Sequence, residues 1–138
     1  MANRLAMSNT LVADNGGNGI VIRPTGTDKS VSAVLNHVET YQNSGAGVVA
    51  DGSSSSPTNL LPAIIFVTVT ASVSANNGAS GFVAGSLANH SAVEMHLTGS
   101  VSARNSHFGI EITPAQTLVW LAQSTVVGKS QPRCRARE

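Results

Sequence analysis

The pattern of the stretch Asn15-Gly16-Gly17-Asn18-Gly19-Ile20 recurs three times further along the chain. In each copy an asparagine stands four residues before a glycine, and the glycine is followed by a large apolar residue. The asparagines are 28, 34 and 28 residues apart. Self-similarity at a period in this range is typical of repeat architectures. The later copies are Asn43-Ser44-Gly45-Ala46-Gly47-Val48, Asn77-Gly78-Ala79-Ser80-Gly81-Phe82 and Asn105-Ser106-His107-Phe108-Gly109-Ile110.

Each repeat offers about three short strands in which apolar and polar residues alternate. In the third repeat, Phe82–Ala84 lies after the glycine, Ser72–Ala75 lies before the asparagine, and Val67–Thr70 lies further upstream. The composition, rich in valine, alanine, serine, threonine and glycine, favours strands and tight turns over helices. The pattern predicts an all-β fold, a right-handed parallel β-helix of about four to five coils with three short strands per coil.

Stacked coils place equivalent residues in columns, because parallel strands repeat about every 4.8 Å along the axis. The sequence predicts two core columns, one of Ile20, Val48, Phe82 and Ile110 and one of Ile22, Ala50, Ala84 and Ile112. It also predicts that the four asparagines form an amide ladder in an inward bend. Lys129 comes next in that column and ends the ladder, because lysine has no acceptor.

Charge and cysteine content exclude several classes of function. The net charge is +1 and only 11% of residues are charged, so a broad electrostatic surface for nucleic acid is not expected. No stretch reaches the ~18 apolar residues that a membrane span requires. The single cysteine, Cys134, excludes an internal disulfide framework and a Cys-rich zinc site. We predict no cofactor, no nucleic-acid partner and no membrane partner.

Ser8–Ile20, Val34–Glu39 and Ser72–Gly78 resemble the repeats of bacterial right-handed β-helix proteins of the pectin-lyase-like type. The resemblance covers about residues 8 to 127 and implies the β-helix fold. It implies exported relatives that are longer, with a signal peptide, further N-terminal coils and a C-terminal cap, all of which this chain is expected to lack. The wider superfamily acts on polymeric sugar, so the resemblance implies a polysaccharide as a possible ligand and a lyase or hydrolase as the possible activity.

The best local candidates for catalysis are His37, Glu39 and Tyr41. Residues at i, i+2 and i+4 of a strand share a face. Glu39 aligns with Leu11, Val73 and Val101, an apparent core column, and desolvation of such a carboxylate is one way in which acids and bases arise. A carboxylate that reaches water near a bend is the stronger interpretation.

The ligand-binding candidates are Asp14, Arg104 and Asp51. Asp14 and Arg104 fall in one outward column with Gln42 and Asn76, although three coils, about 14 Å, separate the two charges. Asp51 begins the extended loop of residues 51–59, and insertions of this kind often mark a binding face. The histidines fall in different columns, so no metal site is predicted within one chain, although contacts between chains could change that.

We expect one β-helix domain over residues 1–128, followed by an atypical basic tail over residues 129–138. Uncovered end coils or a flat β-face would recruit another copy. The preferred hypothesis is a self-assembling structural or binding module without a catalytic signature. The alternatives are a carbohydrate-binding or polysaccharide-cleaving module and a promiscuous hydrolase with a site between subunits. The expected interface residues are Leu5, Met7, Trp120, Leu121, Val126 and Val127.

Overall fold

The computed structural model describes residues 3–24, 30–53, 63–113 and 115–128. Those residues form twelve strands and no helix, and every strand pairing among them is parallel. The strands are β1 (Asn3–Ala13), β2 (Ile20–Ile22), β3 (Val31–Tyr41), β4 (Val48–Asp51), β5 (Ile64–Thr70), β6 (Val73–Ala75), β7 (Phe82–Gly85), β8 (Ala92–Thr98), β9 (Val101–Ala103), β10 (Ile110–Ile112), β11 (Thr117–Ala122) and β12 (Thr125–Val127).

The strands stack into a parallel β-solenoid of about four turns, which confirms the predicted fold class. The larger sheet has five layers, in the order β1, β3, β5 with β6, β8 with β9, and β11 with β12. The smaller sheet stacks β2, β4, β7 and β10. The right-handed sense of the coil remains a prediction.

The register of the smaller sheet places the predicted core columns where the sequence puts them. Ile20, Val48 and Phe82 align and are buried, and their column continues at Ile110. In the second column the first three members are buried, whereas Ile112 is 50% exposed at the end of the described stack.

The larger sheet bends at a column of residues that hold the left-handed backbone conformation: Asn9, His37, Ala71, Gly99 and Gln123. On one side of this corner lies a broad arm, made by the first parts of β1 and β3 with β5, β8 and β11. On the other lies a narrow arm, made by the remainder of β1 and β3 with β6, β9 and β12. The corner residue shifts the alternation, so that Leu35 and Val38 both point inward.

In β6 and β9 and the turns before them, the narrow arm buries small polar side chains, and Val73 and Val101 point outward. Ser72 and Ser100 are buried, and the Ser72 Oγ accepts a hydrogen bond from the Val38 N–H at 3.0 Å. Val73 and Val101 lie in the adjacent outward column with Glu39, which is exposed. Glu39 therefore does not lie in a core column, because hydroxyl groups bonded to the backbone of the next coil occupy the interior here. The exposed carboxylate agrees with the preferred interpretation, that it reaches water.

The asparagine ladder is confirmed over all four described members. Each asparagine Nδ2 donates to the Oδ1 of the next, at 2.8 Å from Asn15 to Asn43, 3.0 Å from Asn43 to Asn77 and 3.0 Å from Asn77 to Asn105. The backbone N–H of each donor residue bonds to the same oxygen, at 3.0 to 3.2 Å. The glycines that follow make room for this arrangement. At Gly47, a Cβ would overlap the hydroxyl groups of Ser74 and Thr40.

Candidate functional site

The three catalytic candidates do not form one constellation. His37 is the corner residue of β3, with φ of 52°, so it leaves the strand alternation on which the expected shared face was based. Glu39 and Tyr41 lie together on the outer side of the narrow arm, and both are exposed. No hydrogen bond joins His37 to Glu39 within the described residues. Their assignment to catalysis stays a prediction.

Asp14 and Arg104 fall in the predicted column with Gln42 and Asn76, and all four residues hold positive φ values between 51° and 56°. This column is the second corner of the coil, and Asp14 and Arg104 lie at its opposite ends. Both side chains are exposed. The four residues share a column because they form this turn of the backbone. Within the column, neither Asp14 nor Arg104 has a charged partner.

Asp51 ends β4 and lies beside a cleft of the smaller sheet. One oxygen of its carboxylate accepts hydrogen bonds from the Ser53 N–H at 3.0 Å and from the Ser53 hydroxyl group. The other lies 3.5 Å from Nη2 of Arg23. These contacts give the carboxylate a structural role in the turn after β4. The rest of the loop, like the basic tail and Cys134, lies outside the described residues.

The most distinctive surface is the outer side of the broad arm, which we call the broad face. Five large apolar side chains on it are between 37% and 55% exposed. One lies on β3, two on β5 and two on β11, while β8, between β5 and β11, carries none of them. They are Val34, Ile64, Phe66, Leu118 and Trp120. A contiguous exposed apolar patch marks an interaction surface more often than a single exposed residue does.

A polar pair lies at the centre of the broad face. Glu94 and His96 are at i and i+2 of β8, and His96 Nε2 lies 2.7 Å from Glu94 Oε1. The imidazole ring lies between two aromatic rings, with centroids 5.0 Å from Phe66 and 6.2 Å from Trp120. About a third of each polar side chain is exposed, so the pair is both held in place and accessible.

Other exposed apolar side chains lie on the narrow arm, at the two ends of the described stack, and in turns beside the smaller sheet, where Leu87 and Phe108 are 56% and 60% exposed. Leu11 and Val127 are exposed on the outer side of the narrow arm. Leu5 and Leu121 belong to inward columns but lie in the first and last layers, so neither is covered. Among the predicted interface residues Met7 alone packs against the core, whereas Leu5, Trp120, Leu121, Val126 and Val127 are exposed.

The register places His96 in one column with Thr68, on the outer side of the broad arm. Sequence reasoning missed the cluster around His96, because Phe66 and Trp120 are distant in sequence and match no motif. The signal that could have found it is the repeat register itself, since the 28-residue spacing of the asparagines also relates Phe66 to Glu94.

The described part of the chain contains no helix of the length and apolarity needed to span a membrane. Within the same residues, no group of three or more potential metal ligands comes together. Comparison of the chain with protein-family models, curated proteins and solved structures found no match.

Proposed function

We propose that this protein is a non-catalytic β-solenoid module that associates with a second copy of itself through the broad face. The observation that carries the proposal is the patch of Val34, Ile64, Phe66, Leu118 and Trp120. Burial of half-exposed side chains of this size stabilises a complex through the hydrophobic effect. The flat surface of a parallel sheet also suits a second flat sheet, which would pack about 10 Å away.

Two adjacent residues distinguish association through the broad face from association through the end of the solenoid. Trp120 and Leu121 are 55% and 54% exposed, but they point to opposite sides of β11. Trp120 belongs to the broad face, and Leu121 continues the inward column of Leu97. We therefore compare Trp120→Ala with Leu121→Ala by light scattering over a series of protein concentrations.

The wild-type chain should form a dimer. Trp120→Ala should raise the dissociation constant at least about tenfold, since tryptophans that become buried in an interface are frequent hot spots. Leu121→Ala should leave the constant within about threefold of wild type. If the dimer is lost in Leu121→Ala and retained in Trp120→Ala, the interface lies at the end of the solenoid and not on the broad face. A wild-type monomer at all concentrations would refute self-association.

A carbohydrate-binding module is the second candidate, because the same face combines two aromatic rings with a carboxylate. Aromatic rings offer apolar faces to a sugar ring, and Glu94 offers an acceptor for its hydroxyl groups. A polysaccharide panel monitored through the fluorescence of Trp120, the single tryptophan, tests this function. Saturable quenching that disappears in Phe66→Ala would support it, and an unchanged spectrum across the panel would oppose it.

The finer description of the fold also belongs to the proposal. A right-handed coil is supported by the strong preference of parallel crossover connections for that hand. Membership of the pectin-lyase-like group of bacterial β-helix proteins is supported only by the resemblance of the repeats. An experimental structure at side-chain resolution tests the hand of the coil directly.

A further inference from the structure

Three asparagines of this chain are each followed by glycine, the residue that most favours deamidation of the asparagine before it. Glycine has no side chain to hinder its backbone nitrogen when that nitrogen attacks the asparagine amide. The three dipeptides are equivalent in an unfolded chain, so a difference between their rates comes from the fold. They are Asn15-Gly16, Asn18-Gly19 and Asn77-Gly78.

The reaction joins the backbone nitrogen of the glycine to Cγ of the asparagine. The nitrogen gives up its proton to a solvent base, the Cγ–Nδ2 bond breaks, and the side-chain amide leaves as ammonia. Water then opens the succinimide ring to aspartate, or to isoaspartate, in which the chain runs through Cγ. A glycine N–H or an asparagine side chain that is held in hydrogen bonds must leave them before the attack.

The Asn77-Gly78 dipeptide is closed to this reaction. The Gly78 N–H donates to Asn43 O at 2.8 Å. The Asn77 side chain is 1% exposed, and both of its polar atoms are bonded within the ladder. Attack on Cγ of Asn77 therefore requires local opening of the ladder.

The Asn18-Gly19 dipeptide is exposed at its asparagine but is held by the next coil. The Gly19 N–H donates to Ala46 O at 2.9 Å. The Asn18 Oδ1 accepts from the Ala46 N–H at 2.7 Å, so the nucleophile and the amide are both restrained. Exposure alone therefore does not decide which asparagine reacts.

The Asn15-Gly16 dipeptide is the open one. Both residues are exposed, and within the described residues the Gly16 N–H has no hydrogen-bond acceptor. A Cβ placed on Gly16 would meet nothing within 4 Å beyond its chain neighbours, so the backbone has room to turn toward the side chain. One side-chain bond, from Asn15 Nδ2 to Asn43 Oδ1 at 2.8 Å, has to break for the attack.

We propose that Asn15 is a modification site, at which the folded chain deamidates spontaneously while Asn18 and Asn77 stay intact. The nucleophile is the Gly16 nitrogen, and water is the second reactant. The site lies in the turn between β1 and β2, outside the broad face, so it is independent of the proposed function.

The isoaspartyl product would weaken the contact between the first and second layers. In that product the backbone carbonyl of residue 15 becomes a free carboxylate, and the chain is longer by one carbon. Asn15 O and Gly17 O accept from the N–H groups of Ser44 and Gly45, at 2.9 and 2.8 Å. Both acceptors would move, so the amide hydrogens of Ser44 and Gly45 should exchange with solvent faster after modification.

The test is peptide mapping by mass spectrometry after incubation at neutral pH, with the chain folded in one sample and unfolded in urea in the other. In urea the three asparagines should react at rates within about threefold of one another, because the unfolded chain keeps only fluctuating structure. In the folded chain Asn15 should react at least about tenfold faster than Asn18 or Asn77, which must first break additional hydrogen bonds.

Gly16→Ala should stop the reaction without disturbing the fold. Its methyl group hinders the attacking nitrogen, and deamidation of Asn15 should slow at least about tenfold. Gly17→Ala is the matched control, because its Cβ also meets nothing within 4 Å and the Asn15-Gly16 dipeptide is kept. After incubation, faster exchange at Ser44 and Gly45 should be seen by NMR in the wild type and in Gly17→Ala, but not in Gly16→Ala.

Two results would overturn the modification site. One is an equal rate at Asn15 and Asn77 in the folded chain, because the sequence alone would then set the rates. The other is an Asn15 that reacts in urea but is as slow as Asn77 when folded, because its single ladder bond would then protect it. Either result leaves the test of the broad face unaffected.

Discussion

Removal of Asn77 from the amide ladder should be among the most destabilising single changes in this chain. Its side chain is 1% exposed and lies between two other ladder members. Its Oδ1 accepts from the N–H and Nδ2 of Asn43, at 3.1 and 3.0 Å. Its Nδ2 donates to Asn105 Oδ1, Thr40 O and Ser74 Oγ, at 3.0, 3.3 and 3.2 Å.

The size of the effect follows from which partners are left unpaired. Asn77→Ala leaves the Asn43 N–H without its acceptor, and a buried unsatisfied group costs about 1–3 kcal/mol. The Asn43 Nδ2 keeps its bond to Val12 O at 3.1 Å, so it is not orphaned. The two hydrogens of Asn77 Nδ2, which are shared among three acceptors, contribute about 1 kcal/mol net each. The free energy of unfolding should fall by about 3–5 kcal/mol.

Asn15→Ala is the matched control, because Asn15 belongs to the same ladder but lies exposed in its first layer. It loses one side-chain bond to Asn43 Oδ1, and that oxygen keeps the Asn15 N–H as a donor at 3.2 Å. The expected loss is about 0.5–1.5 kcal/mol. Both variants are compared with the wild type by urea unfolding, monitored through circular dichroism and Trp120 fluorescence. Equal losses in the two variants would refute the reasoning.

The remaining predictions concern the backbone of the coil. Gly47→Ala should lower the unfolding free energy by about 2 kcal/mol or more, because the new Cβ meets Gly81 O at 2.7 Å as well as two hydroxyl groups. A Cβ added at Gly16 would meet nothing within 4 Å, so Gly16→Ala should change the unfolding free energy little. Urea midpoints that are the same for Gly47→Ala and Gly16→Ala would contradict this account. Ala71→Gly should raise the melting temperature, because it relieves a residue at φ of 47°, at a gain of about 0.5–1 kcal/mol. Gly99→Ala, in the same corner column, should lower it by a similar amount, and a shift of the opposite sign in either variant would contradict the argument.

The features that repeat at constant spacing could be predicted from the sequence. The repeated positions of Asn43 and Gly47 identify their columns, because each repeat needs an amide at the ladder position and no Cβ at the glycine position. The buried face of the smaller sheet follows in the same way from Val48 and its equivalents.

The interior of the narrow arm could not be predicted from hydrophobic alternation, because Ser72 and Ser100 are buried while Val73 and Val101 lie outside. The serines are held inside by hydrogen bonds to the backbone of the neighbouring coil, as from the Ser72 N–H to Ser100 Oγ at 3.3 Å. The left-handed corner at His37 also reverses the alternation within a single strand. Both effects place Glu39 at the surface, in agreement with the preferred interpretation of the sequence and against the alternative of a core column.

The broad face lay beyond sequence reasoning for a different reason. Phe66, His96 and Trp120 come from three coils, and neither a local motif nor a composition with 4% aromatics indicates that they meet. Only the register between coils brings the rings together, on either side of the imidazole.

The most direct test of the central claim is the concentration dependence of acrylamide quenching of Trp120, measured beside light scattering. Trp120 is the single tryptophan and lies on the broad face at 55% exposure. If two copies associate through this face, the quenching constant should fall and the emission should shift to the blue as the dimer forms. A dimer in which quenching of Trp120 remains that of the monomer would contradict the assignment of the interface.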